Sequence, residues 1–154
     1  MNNMIKVNIL YGSSCVGKST IMNNDNNKYN YKYKYNYNYN KVEMDTSNYR
    51  VFNEEEWEEI CINFLIENII NNLNTKDMIV TCGALPLPNH TIYTQLEEQY
   101  SIKFIHSLIL VKDIDKYKTF IKKRNRDDSM EKLLEDYKWR ESTSELYDEI
   151  IFNR

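Results

Sequence analysis

The sequence contains little cysteine, and its cysteines fit neither a disulfide nor a metal pattern. Cys15, Cys61 and Cys82 are too few and too scattered for a disulfide scaffold. None of them has the CxxC or Cys/His spacing that is typical of metal ligands. Isolated thiols of this kind suit a reducing compartment, so the sequence predicts a cytoplasmic protein.

The sequence also lacks an excess of basic charge and a long apolar run. The formal net charge is -3, so no general positive field attracts a nucleic-acid backbone. The first apolar stretch, residues 4–11, is interrupted by Lys6 and Asn8, which is not typical of a signal peptide or a membrane span. We therefore expect no membrane association, and a small-molecule partner rather than a nucleic acid.

Residues 28–41 alternate Tyr with Asn or Lys. The alternation has the period of a strand, but a recurring dipeptide shows no positional choice of residue. It predicts a low-complexity insert at about residues 23–40 within a single domain that spans residues 1–154. The alternative is that its aromatic and basic side chains stack the bases of a single strand, as in a nucleic-acid end kinase.

The rest of the chain alternates apolar, β-rich runs with amphipathic segments. Strands are predicted at residues 5–11, 41–45, 78–82, 104–111 and 150–152, the last with a helix end as its alternative. Helices are predicted just after Lys18, at residues 53–73 and 91–100, from Asp113 or Asp115 to Arg126, and from Ser129. This order predicts a three-layer α/β/α domain with a parallel sheet of about five strands.

The first predicted strand runs directly into a loop with the spacing GxxxxGKS. The glycines let backbone amides curl around phosphate oxygens, and the helix that follows adds its positive end. Lys18 is expected to reach the terminal phosphates of ATP, and the Ser19 hydroxyl to bind Mg²⁺. The predicted nucleotide-binding residues are Gly12, Ser13, Ser14, Cys15, Val16, Gly17, Lys18, Ser19 and Thr20.

The residues at the end of the third predicted strand indicate which class of enzyme contains this phosphate-binding loop, or P-loop. Thr81 and Cys82 stand there instead of an acidic residue, so the Walker B aspartate of motor-type NTPases is absent. Small P-loop kinases tolerate that absence. The sequence therefore favours a kinase.

The C-terminal third resembles the adenylate and uridylate kinases, within the nucleoside monophosphate kinase and shikimate kinase group. The matching residues are Arg126, Asp127, Asp128 and Ser129, followed by Glu131, Tyr137, Thr143 and Leu146. The resemblance implies that Arg126 contacts the transferring phosphate and that Arg124 also faces the nucleotide. Asp45 matches the acidic residue after the second strand, which implies that it orients the acceptor or holds Mg²⁺ through water.

The chain departs from that group where the acceptor would bind. The second lid arginine of adenylate kinases corresponds to Asp136, and Arg140 lies one turn later. Arg50 could clamp an anionic acceptor. The resemblance implies ATP-dependent transfer of a phosphoryl group to a nucleotide or nucleoside. A kinase for a metabolite hydroxyl and a nucleotide-binding protein without turnover are the alternatives.

Overall fold

A computed structural model describes residues 4–13, 16–17, 40–43, 54–71, 77–81, 85–124 and 130–153. The strands are β1 (Ile5–Tyr11), β2 (Asn40–Glu43), β3 (Met78–Thr81), β4 (Ile102–Val111) and β5 (Glu149–Asn153). The helices are α1 (Glu54–Asn71), α2 (Thr91–Gln99), α3 (Ile114–Arg124) and α4 (Met130–Ser142). A 3-10 turn at Ser144–Leu146 leads into β5. The short helix predicted after Lys18 lies outside the described residues.

The strands form one parallel sheet in the order β2-β3-β1-β4-β5, and the parallel α/β class predicted from the sequence is confirmed. β1 lies at the centre, paired with β3 on one side and with β4 on the other. β2 pairs with β3 from its first residue, Asn40 opposite Met78. The sequence predicts that Asn40 belongs to the low-complexity insert, whereas the pairing with β3 places it in the sheet.

The order of the strands places a crevice at the end of β1. The chain leaves β1 towards β2 on one side of the sheet, and leaves β4 towards β5 on the other side. Adjacent strands whose connections diverge in this way leave an opening at their carboxyl ends, where ligands bind in sheets of this kind. The glycine loop begins at this opening, because it follows Tyr11, the last residue of β1.

The central strand is almost wholly apolar because both of its faces are covered. Val7, Ile9 and Leu10 have no exposed surface. Asn8 interrupts the apolar run but is also buried, and its side-chain amide donates a hydrogen bond to the Met78 carbonyl oxygen at 3.1 Å. The hydrogen bond to β3 therefore offsets the cost of burying the Asn8 amide.

The helices pack on the sheet through apolar residues at helical spacing. In α1 the buried side chains are Cys61, Leu65 and Ile69, which lie on one face. In α4 the Tyr137 hydroxyl donates to the Val111 carbonyl oxygen at 2.9 Å and accepts from the Val111 N–H at 3.1 Å, so it fixes α4 at the end of β4. None of the described helices is long and apolar enough to cross a membrane.

Candidate functional site: the glycine loop and the adjacent pocket

The described part of the glycine loop contains a residue that must be glycine. Gly17 has φ +98°, in the left-handed region that side chains disfavour. A Cβ built on Gly17 would also overlap the side-chain amide of Asn153. Both the backbone conformation and the close approach of Asn153 therefore require glycine here.

Asn153 lies on an edge strand of the sheet and binds the glycine loop. It is the last residue of β5 and is buried, and its Nδ2 donates to the Val16 carbonyl oxygen at 2.8 Å. Val16 is fully buried, and its N–H donates to the Ser13 carbonyl oxygen at 3.4 Å. The loop is thus fixed by a turn of its own backbone and by one side chain from β5.

The sequence-predicted site residues fall into two groups. The first group lies within the described residues, where Gly12, Ser13, Val16 and Gly17 lie together at the end of β1. Arg124 is the last residue of α3, and its side chain is not described. The residues outside the described ranges are Ser14, Cys15, Lys18, Ser19, Thr20, Asp45, Arg50 and Arg126.

The predicted magnesium ligands, Ser19 and Asp45, are both in that second group and stay predictions. Among the residues that are described, no group of three or more His, Cys, Asp or Glu side chains is placed to hold a metal ion.

A chain of buried hydrogen bonds begins one residue before the loop. The Tyr93 hydroxyl donates to the Pro86 carbonyl oxygen at 2.7 Å, so its oxygen accepts the Tyr11 hydroxyl proton at 2.8 Å. The Tyr11 oxygen lies 2.8 Å from Nδ1 of His106 and must therefore accept from it. The geometry thus assigns the proton of the neutral His106 ring to Nδ1.

Burial keeps His106 and Tyr11 in this chain uncharged. Burial lowers the pKa of His106 to about 4, against a smaller opposing effect of the Asp148 carboxylate. Burial also raises the pKa of Tyr11 well above its usual value, helped by Tyr93. The ring of His106 contacts Tyr93 edge-on, with centroids 4.6 Å apart. His106 is therefore a packed core residue, as its place in an apolar strand predicts.

A pocket of about 610 Å³ opens beside the segment that follows β3. It lies between the first turns of α1, residues 85–90 and the second half of α4. Its polar and aromatic lining consists of Trp57, Glu58, Asn89, His90, Asp136, Trp139 and Arg140. Because Pro86 also lines it, the hydrogen-bond chain from Tyr11 ties one wall of the pocket to the start of the glycine loop.

One ion pair and one longer polar contact organise the charged and polar side chains of this pocket. Arg140 Nε donates to Asp136 Oδ2 at 3.1 Å within α4. His90 accepts the Ile92 N–H at Nδ1 and so caps α2, while its Nε2 lies 3.9 Å from Glu58 Oε1. This capping bond fixes the ring of His90 at the N-terminus of α2.

Comparison with known proteins finds distant structural likeness to solved chains. No protein-family model matches the chain, and no curated protein matches it in sequence. A solved chain from the study of the PezAT chromosomal toxin-antitoxin system of Streptococcus pneumoniae aligns with it at 16% identity and a TM-score of 0.40. The alignment covers 97% of this chain and 68% of that chain. At this distance the function has to be inferred from the site itself.

Sequence reasoning missed Asn153 and the pocket. Asn153 carries a weak signal, because it is a polar residue that closes a predicted apolar strand at the ligand-binding edge of the sheet. Trp57 and Trp139 carry none individually, since each lies in an amphipathic helix where an aromatic residue normally packs into the core.

Proposed function

We propose that this protein is an ATP-dependent phosphotransferase that moves the γ-phosphoryl group of Mg·ATP to a hydroxyl of a small acceptor. The observation that carries the proposal is the position of the glycine loop. Its GxxxxGKS spacing follows the central strand at the crevice, with Gly17 in the conformation that only glycine adopts readily. Loops of this composition cradle phosphate groups.

In this proposal the reaction proceeds by in-line displacement. The acceptor oxygen forms a bond to the γ-phosphorus while the bond from that phosphorus to the bridging oxygen breaks, and ADP leaves. The hydroxyl proton passes to a base, a role that we assign to Asp45. Ser19 would hold Mg²⁺, which would supply positive charge to offset that of the phosphates.

The cationic residues stabilise the charge that develops during the transfer. Lys18 binds the terminal phosphates, and Arg124 and Arg126 face the transferring group. Electrostatic stabilisation of this kind is the main source of catalysis in phosphoryl transfer.

A transfer assay with γ-labelled ATP tests the proposal. Wild-type protein with Mg²⁺ should label at least one compound in a panel of nucleosides, nucleotides and metabolite alcohols. Lys18→Ala should lower the rate about a hundredfold or more, because an interaction with the transition-state charge is lost. Lys103→Ala, which removes an exposed lysine of β4 away from the loop, should leave the rate unchanged.

Two negative results of this assay would contradict different parts of the proposal. ATP binding without labelling of any acceptor would contradict catalysis and leave a nucleotide-binding protein. Equal rates in wild type and Lys18→Ala would contradict the role of the glycine loop.

A further inference from the structure

Both tryptophans of the chain line the pocket beside the segment that follows β3. Trp57 comes from the first turns of α1 and Trp139 from α4. Trp139 is 49% exposed, although indole rings usually bury most of their surface. Two large flat side chains from separate elements around one cavity suit a ligand with a planar ring, because every nucleobase can stack on such a surface.

The well-exposed charged groups of this pocket are carboxylates, and they stand beside the exposed polar side chains of Asn89 and His90. The Glu58 and Asp136 side chains are 48% and 41% exposed, whereas Arg140 is only 15% exposed and already donates to Asp136. Carboxylates accept hydrogen bonds from hydroxyl and amino groups and repel anions. The pocket lining is therefore matched to a ligand that donates hydrogen bonds and poorly matched to a phosphate ester.

The pocket is also connected to the proposed phosphate site. Its wall at Pro86 follows β3, which pairs with β1, and the Pro86 carbonyl oxygen ends the hydrogen-bond chain that reaches Tyr11. Pro86 and the glycine loop both follow strands that end at the carboxyl edge of the parallel sheet.

We propose that this pocket binds the phosphoryl acceptor, and that the acceptor is an unphosphorylated nucleoside whose base stacks between Trp57 and Trp139 and whose hydroxyl and amino groups face Glu58 and Asp136. A nucleoside hydroxyl oxygen then bonds to the γ-phosphorus as ADP leaves. The acceptor role rests on the proposed function. The ligand preference of the pocket does not, because it is a binding property that needs no ATP.

Tryptophan fluorescence, excited selectively over tyrosine, measures that preference directly, since both tryptophans line the pocket. The full chain is titrated, without ATP, with adenosine, guanosine, cytidine and uridine and with their 5′-monophosphates. At least one nucleoside should change the emission saturably, with a Kd about tenfold below that of its monophosphate. No saturable change with any compound, or tighter binding of the monophosphate in every pair, would overturn the proposal.

Matched variants locate the binding. Trp139→Ala should weaken nucleoside binding about tenfold by removing one stacking surface, with Trp57 still reporting. Phe152→Ala removes an aromatic side chain of similar exposure, 52%, from β5 outside the pocket, and should leave the Kd unchanged. Equal weakening in the two variants would count against the pocket.

The charge of the pocket has its own control. Glu58→Gln should reduce the preference for nucleoside over monophosphate several-fold, because a carboxylate that repels the phosphate is gone. Glu59→Gln alters the exposed neighbour that does not line the pocket and should keep the full preference. An unchanged preference in Glu58→Gln would overturn the electrostatic part of the proposal.

Binding of labelled Mg·ATP by equilibrium dialysis separates this proposal from the proposed function. ATP binding and phosphoryl transfer without any fluorescence response to nucleosides would overturn the pocket proposal alone. A fluorescence response that depends on Trp139, in a protein that neither binds nor uses ATP, would overturn the proposed function and the acceptor role while leaving the ligand preference in place.

Discussion

Asn153 and Gly17 are in close contact, and this contact accounts for the residue type at both positions. Gly17 leaves the space that the Asn153 amide occupies, and the amide donates to the carbonyl oxygen of Val16. An asparagine supplies this donor, whereas an aspartate of the same shape would set an oxygen against the carbonyl. We regard Asn153 as a positioning residue, because it acts on the phosphate site through the loop.

Asn153→Asp should therefore disturb the loop without unfolding the chain. Losing the donor and leaving the Val16 carbonyl unsatisfied costs about 1–3 kcal/mol. We expect a similar loss in the binding free energy of Mg·ATP, measured by titration calorimetry, with unchanged circular dichroism. Asn71→Asp, at an exposed position that ends α1, is the control and should bind like wild type. Unaltered affinity in Asn153→Asp would contradict the positioning role.

At this scale the sequence predicts the loop but not its support. Gly12 and Gly17 are identified by spacing, because the chemistry of the motif is contained in one short segment. The contact of Asn153 with Val16 joins residues 137 positions apart. Such a contact depends on which strands are neighbours, and local spacing holds no information about that.

At the scale of elements, the hydrogen-bond chain of His106, Tyr11 and Tyr93 joins β4, β1, α2 and the segment after β3. The backbone N–H of His106 donates to the Asp148 carboxylate at 2.8 Å. The backbone N–H of Asp148 donates to the His106 carbonyl oxygen at 2.9 Å. These bonds attach the start of β5 to β4. Burial of the ring, rather than these backbone bonds, keeps His106 neutral.

The buried His106 makes the free energy of unfolding depend on pH. The His106 pKa is about 4 in the folded chain against an ordinary 6.5, so the unfolded chain takes up the proton first as the pH falls. Stability that is fully present above the ordinary value is lost as the pH falls towards the folded value. Between about pH 7 and pH 5 the free energy of unfolding should drop by about 2 kcal/mol from this residue.

Urea unfolding across that pH range measures the effect. His106→Asn keeps an N–H donor for Tyr11 but does not titrate, so it should flatten the pH dependence even if it lowers overall stability. His90→Asn, at the exposed cap of α2, should retain the wild-type slope. An equally steep slope in His106→Asn would show that His106 does not set the dependence.

The elements themselves are largely predictable, and the deviations lie at their ends. β4 begins at Ile102 rather than at residue 104, because Ile102 pairs with Ile5 across the sheet while exposed Lys103 breaks the apolar run in the sequence. β2 matches β3 in extent, from Asn40 opposite Met78 to Glu43 opposite Thr81. Strand ends are set by the partner strand, which periodicity does not identify.

At the scale of the whole molecule, the strand order creates the site. It puts the glycine loop at the carboxyl end of the central strand. Periodicity predicts that these strands exist and that they are parallel, but not the order β2-β3-β1-β4-β5. For the same reason the pocket, which combines α1, residues 85–90 and α4, could not be predicted from the sequence.

The central claim is that the glycine loop binds the triphosphate of ATP, and calorimetric titration of Mg·ATP into wild type and Lys18→Ala tests it most directly. The account predicts saturable binding to wild type with one site per chain. It also predicts that Lys18→Ala weakens binding by at least about thirtyfold, since one charged partner of the phosphates is removed. Lys103→Ala should bind like wild type. Equal affinity in wild type and Lys18→Ala, or no binding to either, would contradict the account.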